Sequence, residues 1–111
     1  MAKLERNLCV SFEEAVKVID QGLRNSSISL TLEDGSEFFD GQARCTVLVY
    51  ERYSYMGGNR VSLTVTLFQA GDGPVKLSAI TSGGSQAMFF KINTIGEENF
   101  LTKLEDVIRG L

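Results

Sequence analysis

Apolar and hydroxyl side chains alternate strictly over residues 61–67. This pattern marks residues 60–70 as the strand around which the chain is organised. Ser or Thr occupies the positions between the apolar ones. A period of two is typical of a strand with one buried face. The flanking segments 56–59 and 71–74 are rich in glycine, Asn and Asp, which favour turns. The pattern predicts a central antiparallel strand whose inward residues are Val61, Leu63, Val65 and Leu67.

Two amphipathic helices are predicted at the two ends of this arrangement. Residues 11–14 (Ser-Phe-Glu-Glu) and 94–97 (Thr-Ile-Gly-Glu) both fit the capping-box pattern that opens a helix. Apolar residues then recur every three or four positions, which is typical of a helix with one buried face. The first stripe is Phe12, Val16, Ile19 and Leu23, and the second is Phe100, Leu101, Leu104, Val107, Ile108 and Leu111.

The remaining apolar segments predict further strands over residues 3–10, 28–32, 43–53 and about 75–81. An acidic connection with two unexplained phenylalanines, Phe38 and Phe39, is expected between residues 33 and 41. Residues 85–92 fit either another strand or a loop that leads to the last helix. The predicted fold class is α+β, with the order strand, helix, four or five antiparallel strands, helix. Both helices pack on one face of a curved sheet.

The register of the two predicted hairpins decides which residues of each strand face the core. An odd loop centred on Gly57 would set Val49 opposite Val65 and match apolar to apolar residues. A three-residue turn at 71–73 would set Leu77 beside Leu67 in the same way. The odd loop predicts that Cys45, Val47 and Val49 face inward.

The same registers bring four large residues together on the outer sheet face, which the helices do not cover. A face solvated in a monomer does not usually carry such a cluster. We therefore expect this face to bind a second copy of the chain or a ligand. The predicted interface residues are Leu48, Tyr50, Phe68 and Ile80.

Composition limits the chemistry. The chain has 111 residues, 43% hydrophobic content and a net charge of −3, with no His. One α+β domain over residues 1–111 is expected. The acidic balance argues against a nucleic-acid partner, and no apolar segment is long enough to span a membrane, so we expect a cytoplasmic protein. Without histidine, the commonest general base is missing and no catalytic constellation is recognisable, which favours a non-enzymatic protein with no cofactor.

Several segments could still carry a site. Residues 82–85 (Ser-Gly-Gly-Ser) could form an anion nest of backbone amides, although an ordinary turn is the more economical interpretation. With Arg52 and Tyr53 nearby, the candidate ligand-binding set is Arg52, Tyr53, Ser82, Gly83, Gly84 and Ser85.

The other charged and thiol groups have simpler interpretations. A group of arginines and tyrosines around one hairpin could bind an anion or an aromatic ligand, but cross-strand pairing with Glu51 and Asp72 is the simpler explanation. The group is Arg44, Arg52 and Arg60 with Tyr50, Tyr53 and Tyr55. Cys9 and Cys45 are too few for a zinc set, so no metal site is predicted, and their opposite parities predict free thiols.

Three strings carry a resemblance: residues 51–60 (ERYSYMGGNR), 67–74 (LFQAGDGP) and 78–91 (SAITSGGSQAMFFK). They resemble a family of small bacterial single-domain proteins of unknown function, over nearly the whole length. The resemblance implies no catalytic residue, cofactor or partner. The order of elements is also similar to half of a TATA-binding-type fold and to small helix-grip domains, which is fold analogy alone.

Two function hypotheses follow from different classes. The first is a non-enzymatic homodimer or binding module that uses the outer sheet face. The second is a protein that binds a small anionic or aromatic ligand in a pocket between helices and sheet, with weak catalysis possible. An enclosed pocket with converging polar groups would favour the second hypothesis, and a flat apolar patch would favour the first.

Overall fold

A computed structural model describes residues 2–25, 30–54, 59–83, 101–109 and 111. The described part contains five strands and two helices. The strands are β1 (Lys3–Leu8), β2 (Leu30–Asp40), β3 (Ala43–Ser54), β4 (Asn59–Ala70) and β5 (Val75–Gly83), and the helices are α1 (Phe12–Arg24) and α2 (residues 101–108).

The strands form one antiparallel sheet in the order β1-β5-β4-β3-β2, so β4 lies in its centre as predicted. The predicted α+β fold class is confirmed, and the described elements follow the predicted order of strand, helix, antiparallel strands and helix. Four antiparallel strands are described between the two helices. The alternatives for residues 85–92 fall outside the described residues. Both helices bury their apolar residues against the inner face of the sheet. The shared core includes Phe12, Ala15, Ile19 and Leu23 of α1, Leu104 and Ile108 of α2, and Val61, Leu63, Val65 and Leu67 of β4.

The helix α1 begins where the capping box predicts. The Ser11 hydroxyl accepts a hydrogen bond from the Glu14 amide at 3.1 Å, which satisfies one of the free amides of the first turn. Glu13 and Glu14 in the first turn and Arg24 in the last turn complement the helix dipole. The cap and these charges stabilise the ends of α1, and its buried residues Phe12, Ile19 and Leu23 face the sheet.

The β4–β5 hairpin has the predicted register. Leu67 lies opposite Leu77, and Val65 lies opposite Ala79. Gly71 in the connecting turn has a φ of 59°, a conformation that glycine adopts without steric cost.

The predicted β3–β4 register is wrong. Leu48 lies opposite Val65 and Tyr50 opposite Leu63, because Ser54 pairs with Asn59 across an even loop. Tyr50 is therefore buried in the core, where its hydroxyl donates a hydrogen bond of 2.6 Å to the Asp20 carboxylate on α1. Because the phenol has this hydrogen-bond partner, its burial is favourable. Pairing of apolar residues across β3 and β4, considered alone, favours the opposite face of β3. Facing outward instead are Cys45, Val47 and Val49.

The predicted acidic connection at 33–41 is also wrong, because β2 continues to Asp40 along the whole of β3. The register shifts between Leu32 and Asp34, so Glu33 forms a β-bulge that reverses the alternation. An exposed edge strand tolerates acidic side chains, which discourage pairing with another strand. The two phenylalanines consequently lie on a strand and point to opposite sides of the sheet.

Candidate functional site

The outer face of the sheet, away from the helices, carries apolar side chains on four of its five strands. Phe38, Cys45 and Phe68 are direct neighbours on β2, β3 and β4, in a row that continues to Lys76 on β5. Phe38 is 60% exposed and Phe68 is 40% exposed. We define the outer patch as Phe38, Cys45, Val47, Val49, Phe68 and Ile80.

A second row of the same face ends in opposite charges at the two edges of the sheet. It runs from Asp34 on β2 through Val49 and Thr64 to Ile80 and then to Lys3 on β1. Within the described residues, neither Asp34 nor Lys3 takes part in an ion pair. This row of the outer face therefore ends in a negative charge at β2 and a positive charge at β1. One oxygen of the Asp34 carboxylate accepts a hydrogen bond from the Gly35 amide, and the other can meet a partner.

The four predicted interface residues do not share one face. Phe68 and Ile80 lie on the outer face as predicted, and Ile80 is 38% exposed. The predicted outward positions of Leu48 and Tyr50 are wrong, because both side chains face the core in the observed register of β3. Phe38, Cys45, Val47 and Val49 take their place in the outer patch. In the sequence, Val47 and Val49 alternate with Leu48 and Tyr50. This alternation indicates a strand, but it does not show which of the two pairs faces the core.

The predicted ligand-binding set does not converge in the part of the chain that the structure describes. Arg52 lies opposite the buried Val61 and so shares the inner side of the sheet, whereas Ser82 pairs with Ser62 on the outer side. Gly83 lies opposite Val61 with a φ of 117°. Tyr53 follows Arg52 along β3, and Gly84 and Ser85 lie outside the described residues. Arg52 and Ser82 therefore cannot approach one ligand from the same side.

A cleft of about 380 Å³ lies at the opposite end of β3 from Arg52. We name it the end cleft; it lies between the start of α1 and the β2–β3 and β4–β5 turns. Phe39 is its most prominent apolar side chain and is 69% exposed. Its lining residues are Ser11, Phe12, Glu13, Phe39, Gly41, Gln42, Arg44, Gln69, Gly71 and Asp72.

The one arginine of the end cleft is paired with a carboxylate, and Asp72 leaves the lining with a net negative charge. The Arg44 guanidinium donates hydrogen bonds to both carboxylate oxygens of Glu13 and lies 5.7 Å from the centroid of the Phe12 ring. The hydrogen bond from Arg44, followed by one from the backbone amide of Glu13 itself, lowers the pKa of the Glu13 carboxyl group. Since the Glu14 amide is bound by Ser11, this end of α1 offers little to a free anion.

The chain matches the family of unknown function DUF6054 over residues 1–111, which is its whole length. It belongs to this family. Among solved structures, TTHA0849 from Thermus thermophilus aligns with 98% of this DUF6054 chain and 97% of its own, at 12% identity and a TM-score of 0.33. A search of curated proteins finds no match.

The remaining reactive groups of this DUF6054 chain are dispersed. Arg60 binds Glu51 at 2.8 Å, the cross-strand pair that the sequence suggested. No group of three potential metal ligands occurs among the residues described. Of the helices described, none is long and apolar enough to cross a membrane.

The two thiols lie far apart. Cys9 is exposed after β1, and Cys45 is a half-buried thiol on β3. The predicted inward position of Cys45 is wrong, because Cys45 pairs with Phe38 and Phe68 on the outer face. Three strand spacings of about 4.8 Å separate β1 from β3, a distance that exceeds the Cα separation of a disulfide.

Proposed function

We propose that this DUF6054 chain is a non-enzymatic module that forms a homodimer through the outer patch, in the cytoplasm. The observation that carries the proposal is the exposure of Phe38, Phe68 and Ile80 on one sheet face that no described helix covers. When one face of a sheet is in water, polar residues on that face normally alternate along each strand with apolar residues that face the core. Several large apolar side chains exposed on one face are typical of an interaction site.

The size of the outer face suits a second copy of the chain. Five strands spaced about 4.8 Å apart, over the nine-residue length of β5, give a face of about 24 by 30 Å, or roughly 700 Å². Specific interfaces bury about 800 Å² on each partner. Small side chains such as Thr64, Thr66 and Ser78 between the larger ones leave room for the partner's aromatic rings.

The composition of the edge strand β2 favours association of two copies through their sheet faces and disfavours pairing of their edge strands. The strand carries Asp34, Glu37 and Asp40 and a bulge at Glu33. Two such strands brought side by side would repel each other, and the bulge interrupts the row of free backbone groups. Association through the outer patch avoids both penalties.

Sedimentation equilibrium of the wild-type protein and two matched variants tests this proposal. Phe68→Glu puts a carboxylate on the central strand of the interface, where removal of the charge from water costs several kcal/mol even beside Lys76, its cross-strand neighbour. This variant should be a folded monomer. Phe39→Glu is the control, since Phe39 is even more exposed but lies in the end cleft. It should remain dimeric. A wild-type protein that is monomeric at tens of micromolar, or equal dissociation of both variants, would contradict the proposal.

The end cleft favours a second candidate function, binding of a small aromatic ligand. The specific observation is Phe39, an exposed ring on the wall of a cavity of about 380 Å³ beside the amide side chains of Gln42 and Gln69. Since Arg44 is already bound to Glu13, a neutral ligand suits this site better than an anion. Phe39→Ala should then remove the NMR shifts that a library of neutral aromatic fragments causes at Gln42 and Gln69. Absence of any shift in the wild-type protein would eliminate this candidate.

A further inference from the structure

We infer that the two-fold axis of the homodimer runs parallel to β4, so that β2 of one copy covers β1 of the other. This inference rests on the proposed function and adds the relative orientation of the two copies. β4 is the third of five strands, so an axis along it exchanges β1 with β2 and β5 with β3. Each row of residues across the sheet then faces the same row of the partner.

The row that contains Thr64 becomes complementary in this orientation. Asp34 and Lys3, at its two ends, face each other across the interface. Ile80 of one copy lies over Val49 of the other, and Thr64 lies near its own copy on the axis. The symmetry produces the Asp34–Lys3 pair twice. In this orientation, the charged residues of the row therefore meet opposite charges, and its apolar residues meet apolar residues.

The charge pairs select the orientation more than they contribute affinity. Lys3 and Asp34 are exposed at the rim of the face, where a single ion pair contributes little to binding. Rim charges instead exclude wrong arrangements and set register. The apolar residues of the outer patch supply the affinity.

The alternative axis, in the sheet plane and perpendicular to the strands, gives unfavourable contacts. If this axis passes through the row of Thr66, each strand lies over the same strand of the other copy. Glu5 then lies against its own copy. This axis would also set Lys76 over Ile80 and Asp34 over Phe38, because the rows on either side of Thr66 change places. The like charges at Glu5 disfavour this arrangement, and it has two contacts of a charged residue with an apolar one. The axis along β4 has one such contact, Lys76 over Cys45.

A charge exchange tests the orientation by sedimentation equilibrium. Lys3→Glu alone and Asp34→Lys alone each place like charges together, and each should raise the dimer dissociation constant about tenfold at low salt. The double variant restores opposite charges and should return the constant to within about twofold of the wild-type value. A double variant that is no tighter than the single variants overturns the inference.

Cross-linking provides a test that does not depend on charge. In a Cys9→Ser, Cys45→Ser background, Thr64→Cys should cross-link rapidly to its own copy with a short bis-maleimide. Ser78→Cys should not, because Ser78 lies on β5, one strand away from the axis on either copy. Faster cross-linking of Ser78→Cys would favour the perpendicular axis and overturn the inference.

The two proposals fail in different ways. A monomeric wild-type protein contradicts the homodimer and the axis together. A wild-type dimer that Phe68→Glu dissociates, but in which the charge exchange restores nothing, retains the homodimer and refutes only the axis.

Discussion

The sharpest prediction from the fold concerns two neighbouring residues of β3, Tyr50 and Val49. The structure places Tyr50 in the core and Val49 on the outer face. Apolar matching of the strands gives the reverse assignment. The loss of unfolding free energy when each residue is replaced by Ala therefore shows which of the two registers is correct.

The expected losses differ by several kcal/mol. Removing a fully buried aromatic side chain costs about 3–5 kcal/mol, and Tyr50 is 0% exposed. The variant also loses the hydrogen bond from Tyr50 to Asp20, whose net value is about 1 kcal/mol because the Asp20 carboxylate is partly solvated. Tyr50→Ala should thus cost about 4–6 kcal/mol. Val49→Ala truncates a partly exposed side chain and should cost under about 1 kcal/mol.

Urea denaturation followed by circular dichroism measures both free energies of unfolding. Both substitutions should be made in the Phe68→Glu background, so that loss of the dimer interface at Val49 does not add to the result. Equal losses at the two positions, or a larger loss for Val49→Ala, would refute the register and with it the composition of the outer patch.

Three further predictions concern close contacts and titration. Gly22→Ala would place a methyl group 2.6 Å from a Val107 methyl of α2 and should destabilise by about 1–2 kcal/mol, a loss that Val107→Ala should reverse in thermal unfolding. Gly83→Ala should cost at least about 1 kcal/mol in urea denaturation, because its φ is 117° and the new methyl would lie 2.6 Å from a backbone oxygen. Burial and then the Asp20 carboxylate raise the pKa of the Tyr50 phenol. The unfolded chain therefore loses this proton first as pH rises above about 10, and stability should fall by up to about 1.4 kcal/mol per pH unit. Tyr50→Phe should show a shallower decline in denaturation titrations between about pH 9 and 11, and identical slopes would exclude this role.

Some parts of the fold were predictable because independent local signals agreed. In α1, the capping box at Ser11 and the apolar stripe define the same start and the same buried face. In β4 and β5, only one parity of each strand is mainly apolar, so Leu67 could pair sensibly only with Leu77. Phe68 and Ile80 were recognisable as outer-face residues for the same reason.

The sequence did not determine β3, because both parities of that strand are apolar. Val47 and Val49 compete with Leu48 and Tyr50, and the choice depends on Asp20, thirty positions earlier, which accepts the tyrosine hydrogen bond. Alternation within one strand contains no information about that helix. The predicted interface therefore combined two core residues with two surface residues.

The bulge in β2 concealed the rest of the outer patch. Glu33 is the additional residue that reverses the alternation between Leu32 and Asp34, so the strand resembles an irregular acidic loop. Without a strand at that place, Phe38 had no assigned side and could not be joined to Phe68. Most of β2 is exposed on both faces, which removes the apolar periodicity that sequence interpretation needs.

The mass of the wild-type protein in solution is the most direct test of association through the outer patch. We expect light scattering at tens of micromolar to give about 24 kDa, twice the chain mass of 12.2 kDa, with a return toward 12.2 kDa on dilution. A constant 12.2 kDa across that range of concentrations would contradict the homodimer and leave Phe38, Phe68 and Ile80 as exposed side chains without a partner copy.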